Sequence, residues 1–171
     1  MRAKNCRGNS MLEFVFVGIP LMFVLISVVE MARGMWIYHT LAYAVKEGTR
    51  YAIVHGQNSP TPASYQSVCA AIVNAGPGLM ANQLSLTFTS LSGSVGPYMA
   101  DSCPATQWPP GGGSTFDNQP GQVISIAADY PFLSAISMFW PGTKGVNFKN
   151  LTCQGAGTLC LPAGSRDTMQ F

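Results

Sequence analysis

Charge is what this sequence has least of. Asp, Glu, Lys and Arg make up 9% of its 171 residues and hydrophobic residues 47%, whereas soluble domains carry about 25% charged residues. The formal net charge of +2 is unevenly placed, because Arg2, Lys4 and Arg7 stand in the first eight residues. Without those three, six basic residues face seven acidic ones, a balance of −1, so no basic surface is left for nucleic acid. Histidine is scarcer still: His39 and His55 are the only two, and neither sits in a metal motif. No CxxC pair and no Cys/His cluster of ligand spacing occurs. A hydrolase needs a nucleophile and a base oriented by a third group, but Asp101, Asp117, Asp129 and Asp167 are scattered along the chain. Gly111-Gly112-Gly113 lacks the Lys-Ser/Thr and helix start of a phosphate loop and reads as a flexible loop. The expectation is a protein without enzymatic activity, cofactor or metal, of a length that suits one domain plus an attached segment.

Five cysteines are present. Cys6 lies among the basic residues, whereas Cys69, Cys103, Cys153 and Cys160 all lie beyond the apolar stretch. An even set of four with no metal spacing reads as two disulfides in an oxidising compartment. Cys153–Cys160 is the natural short loop and leaves Cys69–Cys103 as its complement, although four cysteines allow three connectivities.

Against the shortage of charge stands one long apolar run. Phe14 to Val29 is sixteen uncharged residues rich in Phe, Val, Leu, Ile and Met. Extended to Met31 past Glu30, with Ser10 to Leu12 on the near side, it reaches the length of about 20 residues that a membrane span requires. The basic residues before it keep the N-terminus cytoplasmic and place the chain beyond Glu30 outside. Three readings fit. A cleaved secretory signal needs a small-residue site after the run, and Val28-Val29-Glu30-Met31 is a poor one. A plain signal anchor needs nothing more than is present. The third is a prepilin-type leader: basic residues ending in Arg7-Gly8, cleavage before Asn9, and Glu13 at the edge of the apolar run. A carboxylate at a bilayer edge needs a partner, since insertion at a helix centre costs about 2.5–3.5 kcal/mol. Cleavage after Gly8 would create an α-amino group on Asn9, one helical turn from Glu13, on the same chain or on a neighbour.

The helical pattern continues past the run. Met31, Met35, Tyr38, Ala42, Val45, Thr49 and Ala52 recur at three- and four-residue steps. Glu30 and Arg33 stand three apart and can pair, as can Lys46 and Arg50 with Glu47 nearby. One helix from Asn9 to about residue 55 is expected, with a kink at Pro20.

In Arg7-Gly8, Leu12-Glu13-Phe14, Pro20, Glu30, Arg33, Tyr38 and Lys46-Glu47-Gly48-Thr49-Arg50-Tyr51-Ala52 the sequence resembles the TadE-like minor pseudopilins of the tight adherence (Tad/Flp) pilus system, over about residues 7 to 52. Pro20 lies slightly further from Glu13 than in the family pattern. The resemblance implies processing between Gly8 and Asn9 by a prepilin peptidase, with Glu13 and Phe14 as recognition and pairing residues. It implies as partners the inner membrane, other pilins or pseudopilins and the pilus assembly machinery, with a periplasmic head and incorporation into an adhesive pilus. The alternative is a single-pass anchored binding domain that is not processed as a pilin.

Residues 56–171 read as an extracytoplasmic α+β head. Gly56 to Pro62 is dense in helix breakers, Ser64 to Val73 reads as a short helix ended by Gly76-Pro77-Gly78, and Leu84 to Leu91 alternates as a half-buried strand. Ser92 to Gly121 reads as loop, Gln122 to Tyr130 as a second strand, and Val146 to Leu151 as a third leading into the cysteine loop. Pro131 to Trp140 is apolar and reads as core in preference to an exposed patch. Asn150-Leu151-Thr152 fits a glycosylation sequon, a frequent chance match. The fold class expected is a long N-terminal transmembrane and amphipathic helix leading into a small antiparallel sheet stapled by disulfides.

Overall fold

The computed structural model describes residues 9–56, 59–111, 117–134, 153 and 159–170, with side chains from residue 11 onward. The leader, Cys6, Gly112 and Gly113, Ala135 to Trp140, the strand expected at Val146–Leu151 and the sequon at Asn150 lie outside these residues.

Helix α1 runs Asn9–Val54, 46 residues, and continues through Pro20. At 1.5 Å per residue it spans roughly 70 Å. Its two halves meet different surroundings. Nearly every large apolar residue from Met11 to Trp36 is exposed, whereas Leu41, Ala44, Val45, Thr49, Ala52 and Ile53 are buried. These recur at three- and four-residue steps, so one stripe of the second half faces the head. Gly48 lies in that stripe. A Cβ built there would fall 2.8 Å from Ile72 Cδ1, so hydrogen at this position is what lets α1 and the second helix approach closely.

Helix α2, Tyr65–Ala75, is capped by Ser64. The Ser67 amide donates to the Ser64 hydroxyl at 3.1 Å, and the Ser64 amide donates to the Ser67 hydroxyl at 2.9 Å. The reciprocal pair satisfies two of the amides that a helix start leaves open. Val68, Cys69 and Ile72 on α2 are buried against the head.

The sheet has four antiparallel strands: β1 Ser85–Ser90, β2 Gly93–Met99, β3 Val123–Phe132 and β4 Leu159–Thr168, in the order β2-β1-β3-β4. Leu86 pairs with Ala128 and Phe88 with Ile126, which sets apolar residues side by side on the face turned to the helices. The α+β architecture expected from the sequence is the one observed, with a long apolar helix, an antiparallel sheet and two cysteine pairs. Two strands depart from expectation. β2 lies inside the stretch read as loop. It is an outer strand with almost every residue exposed, so it carries no apolar alternation, and an edge tolerates Pro97. Gly96 has φ +127°, and a Cβ there would stand 2.8 Å from Leu86 O. β4 has no counterpart among the strands expected. It is the opposite edge, contains Pro162 and Gly164, and pairs with β3 without a break from Val123↔Thr168 to Phe132↔Leu159.

The core gathers Leu41 and Val45 of α1, Ile72 of α2, Leu86 and Phe88 of β1, Ile124 and Ile126 of β3, and Trp108. Trp108 arrives on a Pro-rich connection held by backbone bonds: its amide donates to Ala63 O at 3.0 Å, and the Tyr65 amide to Thr106 O at 3.1 Å. Its ring meets Phe88 at 4.9 Å between centroids and Tyr65 at 5.9 Å. Cys69 bonds to Cys103, fastening α2 to the segment after β2, and Cys153 bonds to Cys160 at the start of β4.

Candidate assembly helix and its junction with the head

The first half of α1 is apolar on all sides. The span window within Met11–Val54 has mean hydropathy 2.5 and none of it is buried. A helix hydrophobic all round finds its partners in a membrane or in other helices. Glu13 stands exposed on this half, four residues after Asn9, where α1 begins. Residues four apart share a helix face, so a carboxylate at 13 and a group at the start of α1 lie over one another. Phe14 is exposed.

At the other end of the apolar stretch α1 is tied to the head through a guanidinium. Arg33 Nη2 donates to Glu30 Oε2 at 3.2 Å and also to the carbonyl of Leu133 just beyond β3. Its Cζ lies 4.7 Å from the centroid of the Phe132 ring, within cation–π range. The Glu30 side chain is 13% exposed and that of Arg33 48%. The carboxylate is thus sheltered beneath the guanidinium, while the pair as a whole remains open to screening. The sequence supplied the spacing of Glu30 and Arg33 but gave no sign of Leu133, whose contribution is a backbone carbonyl a hundred residues away. Beside this junction lies an apolar groove of about 670 Å³ lined by Met31, Gly34, Met35, Tyr38, Phe132 and Leu161 among others.

Further along α1, Arg50 Nη1 donates to Glu47 Oε1 at 3.1 Å. His55 stacks on Tyr51 with centroids 4.1 Å apart, its Nδ1 2.8 Å from Tyr51 O, and His39 meets Tyr38 edge-on at 5.8 Å. The two histidines therefore make local helix contacts. Among the described residues no three His, Cys, Asp or Glu side chains gather as metal ligands. Glu13, the Glu30–Arg33 junction and the two disulfides fall at separate stations along the chain and do not converge on one pocket.

The N-terminal half thus combines an apolar helix, a carboxylate near its start and an ion pair where it enters the head. Residues 8–50 match the family of TadE-like proteins. The matched segment coincides with α1 up to its last turn, so the likeness covers about a quarter of the chain. That family is structural and pilus-associated, and one apolar helix of this kind fits a single-pass membrane anchor. The head lies beyond the TadE-like match. No curated protein and no solved structure matches the chain.

Proposed function

We propose that this protein is a minor pilin-like subunit of a Tad-type adhesive pilus, cut after Gly8 by a prepilin peptidase. After cleavage α1 holds it in the inner membrane, with the head on the periplasmic side. The observation that carries the reading is the coincidence of the TadE-like match with a helix whose first half is wholly exposed and apolar. Further support comes from Arg2, Lys4 and Arg7 ahead of the span, which favour a cytoplasmic start. Trp36 and Tyr38 are exposed just beyond the span, where aromatic side chains favour the interface. Two disulfides suit an oxidising compartment.

Cleavage supplies the chemistry of assembly. It exposes an ammonium on Asn9 one turn from Glu13, and the carboxylate pairs with it or with that of a neighbouring subunit. In the membrane such a pair is less screened than in water, so it sets the register between adjacent helices. The bare apolar faces around it, with Gly18 among them, supply the packing.

Intact-mass measurement of the native membrane form tests the cleavage. The mature chain should begin at Asn9, and a chain still beginning at Met1 in cells with an active peptidase would leave only an unprocessed anchor. Glu13→Ala should reach the membrane in normal amount yet reduce piliation. Normal piliation in that strain would refute a pairing role for the carboxylate.

A further inference from the structure

The groove beside the Glu30–Arg33 junction lies at a depth that the helix itself fixes. The uncharged run of α1 ends at Val29, and the helix wall of the groove extends from Ser27 to His39, across that end. The other wall belongs to the head: Phe132 at the end of β3, with Leu159 and Leu161 at the start of β4. The Phe132 ring packs on Gly34, where an added Cβ would stand 3.5 Å from its Cζ. Gly34 is three residues beyond Met31, roughly 4.5 Å along the axis. The headgroup layer on each side of a bilayer's hydrocarbon is about 5–8 Å thick. With α1 across a membrane, this end of the sheet therefore stands among the headgroups, and the Ser27 end of the groove reaches the hydrocarbon. Met31 is 69% and Leu159 61% exposed, and this apolar surface continues the bare sides of the span. Glu30 lines the groove but is paired with Arg33, so no unpaired carboxylate faces it among the described residues.

We propose that this groove seats an acyl chain of a membrane phospholipid and so holds the head against the bilayer surface. The inference rests on the membrane-anchored part of the reading above and is independent of leader cleavage. Depth selects the occupant. At this level lipid surrounds the protein on every side, whereas a protein partner would first have to displace it. An exposed apolar recess of this kind marks a membrane or a partner surface. Its volume of about 670 Å³ falls within the roughly 300–1,000 Å³ of sites that take one small molecule. Trp36 and Tyr38, both exposed, stand on the turn just beyond the span, where aromatic side chains favour the headgroup level. A seated chain touches α1 and the sheet at once, which fixes the tilt of the head over the membrane before assembly.

The test uses the full chain in phospholipid vesicles, with the photoreactive residue p-benzoylphenylalanine replacing one exposed side chain at a time. Leu159 probes the groove, Val24 the span, and Val95 the outer strand β2 at the far edge of the sheet. After irradiation, mass spectrometry counts the chains that have gained one phospholipid. The Leu159 variant should gain it about as often as the Val24 variant and many-fold more often than the Val95 variant. Hydrolysis of the lipid esters should then leave the fatty acid on the protein. The same replacement at Met35 approaches the groove from the helix wall and should give the same adduct, which keeps a reading available if the change beside the Cys153–Cys160 bridge disturbs folding. With lipid captured at Val24, any of three results at the groove positions would overturn the seat: a yield no higher than at Val95, an adduct lost on ester hydrolysis, or a cross-link within the chain or to a second copy. No capture at Val24 either would overturn the membrane reading, and this inference with it.

Discussion

At the scale of single residues, Arg33 is the side chain on which the junction turns. Its guanidinium meets a carboxylate, a carbonyl and an aromatic ring at once, a set that only a planar, many-donor cation can serve. Arg33→Ala should lower stability by about 1 kcal/mol, discounted because the group is half exposed. Arg33→Lys should recover only part of it; denaturant unfolding in detergent reads both, and full recovery by lysine would mean that charge alone matters. Asp117 offers a second probe. Its folded pKa is depressed, so the stability it contributes is complete above the ordinary carboxylate value and is lost as pH falls through the folded one. Acid unfolding of Asp117→Asn should therefore show a shallower loss of stability on the acid side than the unaltered protein. The sequence displays Glu13 plainly, because one charge at the edge of an apolar run stands out. It does not display Leu133 or the hydrogen bonds that Ser90 and Ser92 give Asp117, since a carbonyl has no side-chain signature and those partners meet only in three dimensions.

At the scale of elements, helices are the more legible because their periods are long and local. The steps from Met31 to Ala52 mark the amphipathic half of α1, and Ser64 with the breakers at residues 76–78 brackets α2. β1 and β3 alternate because one face of each is buried, and both are readable. The edge strands β2 and β4 are not. Each is defined by the neighbour it pairs with, and neither has a buried side regular enough to impose a pattern. Two substitutions probe the elements. Gly48→Leu places a side chain where Ile72 already sits and should cost about 1–3 kcal/mol, with part recovered by Ile72→Ala in the same chain; additive losses in the double variant would rule out direct contact of α1 with α2 at that point. Ser64→Ala removes the cap of α2 and should cost about 0.5–2 kcal/mol. Calorimetry of the two would rank a close helix crossing against a lost cap.

At the scale of the whole molecule, the two disulfides act on loops of very different length, with separations of 34 and 7 residues. The longer loop gives up more chain entropy when closed. Replacing both Cys69 and Cys103 by Ser should cost about 2–4 kcal/mol and should destabilise more than the same change at Cys153 and Cys160. Equal losses would show that the bridges act by something other than loop closure. The sequence leaves this pairing open among three, and the structure selects one because Cys103 comes back to α2 only after the chain has passed through β1 and β2.

Helix α1 lies in the bilayer-compatible stretch at one end and in the core of the head at the other, with no loop between them. A force applied to the head is consequently transmitted along a rod, without slack, to the residues around Glu13. Turning the head about the helix axis turns the apolar end with it. In a subunit placed as proposed, whatever holds the head therefore also sets which way Glu13 faces.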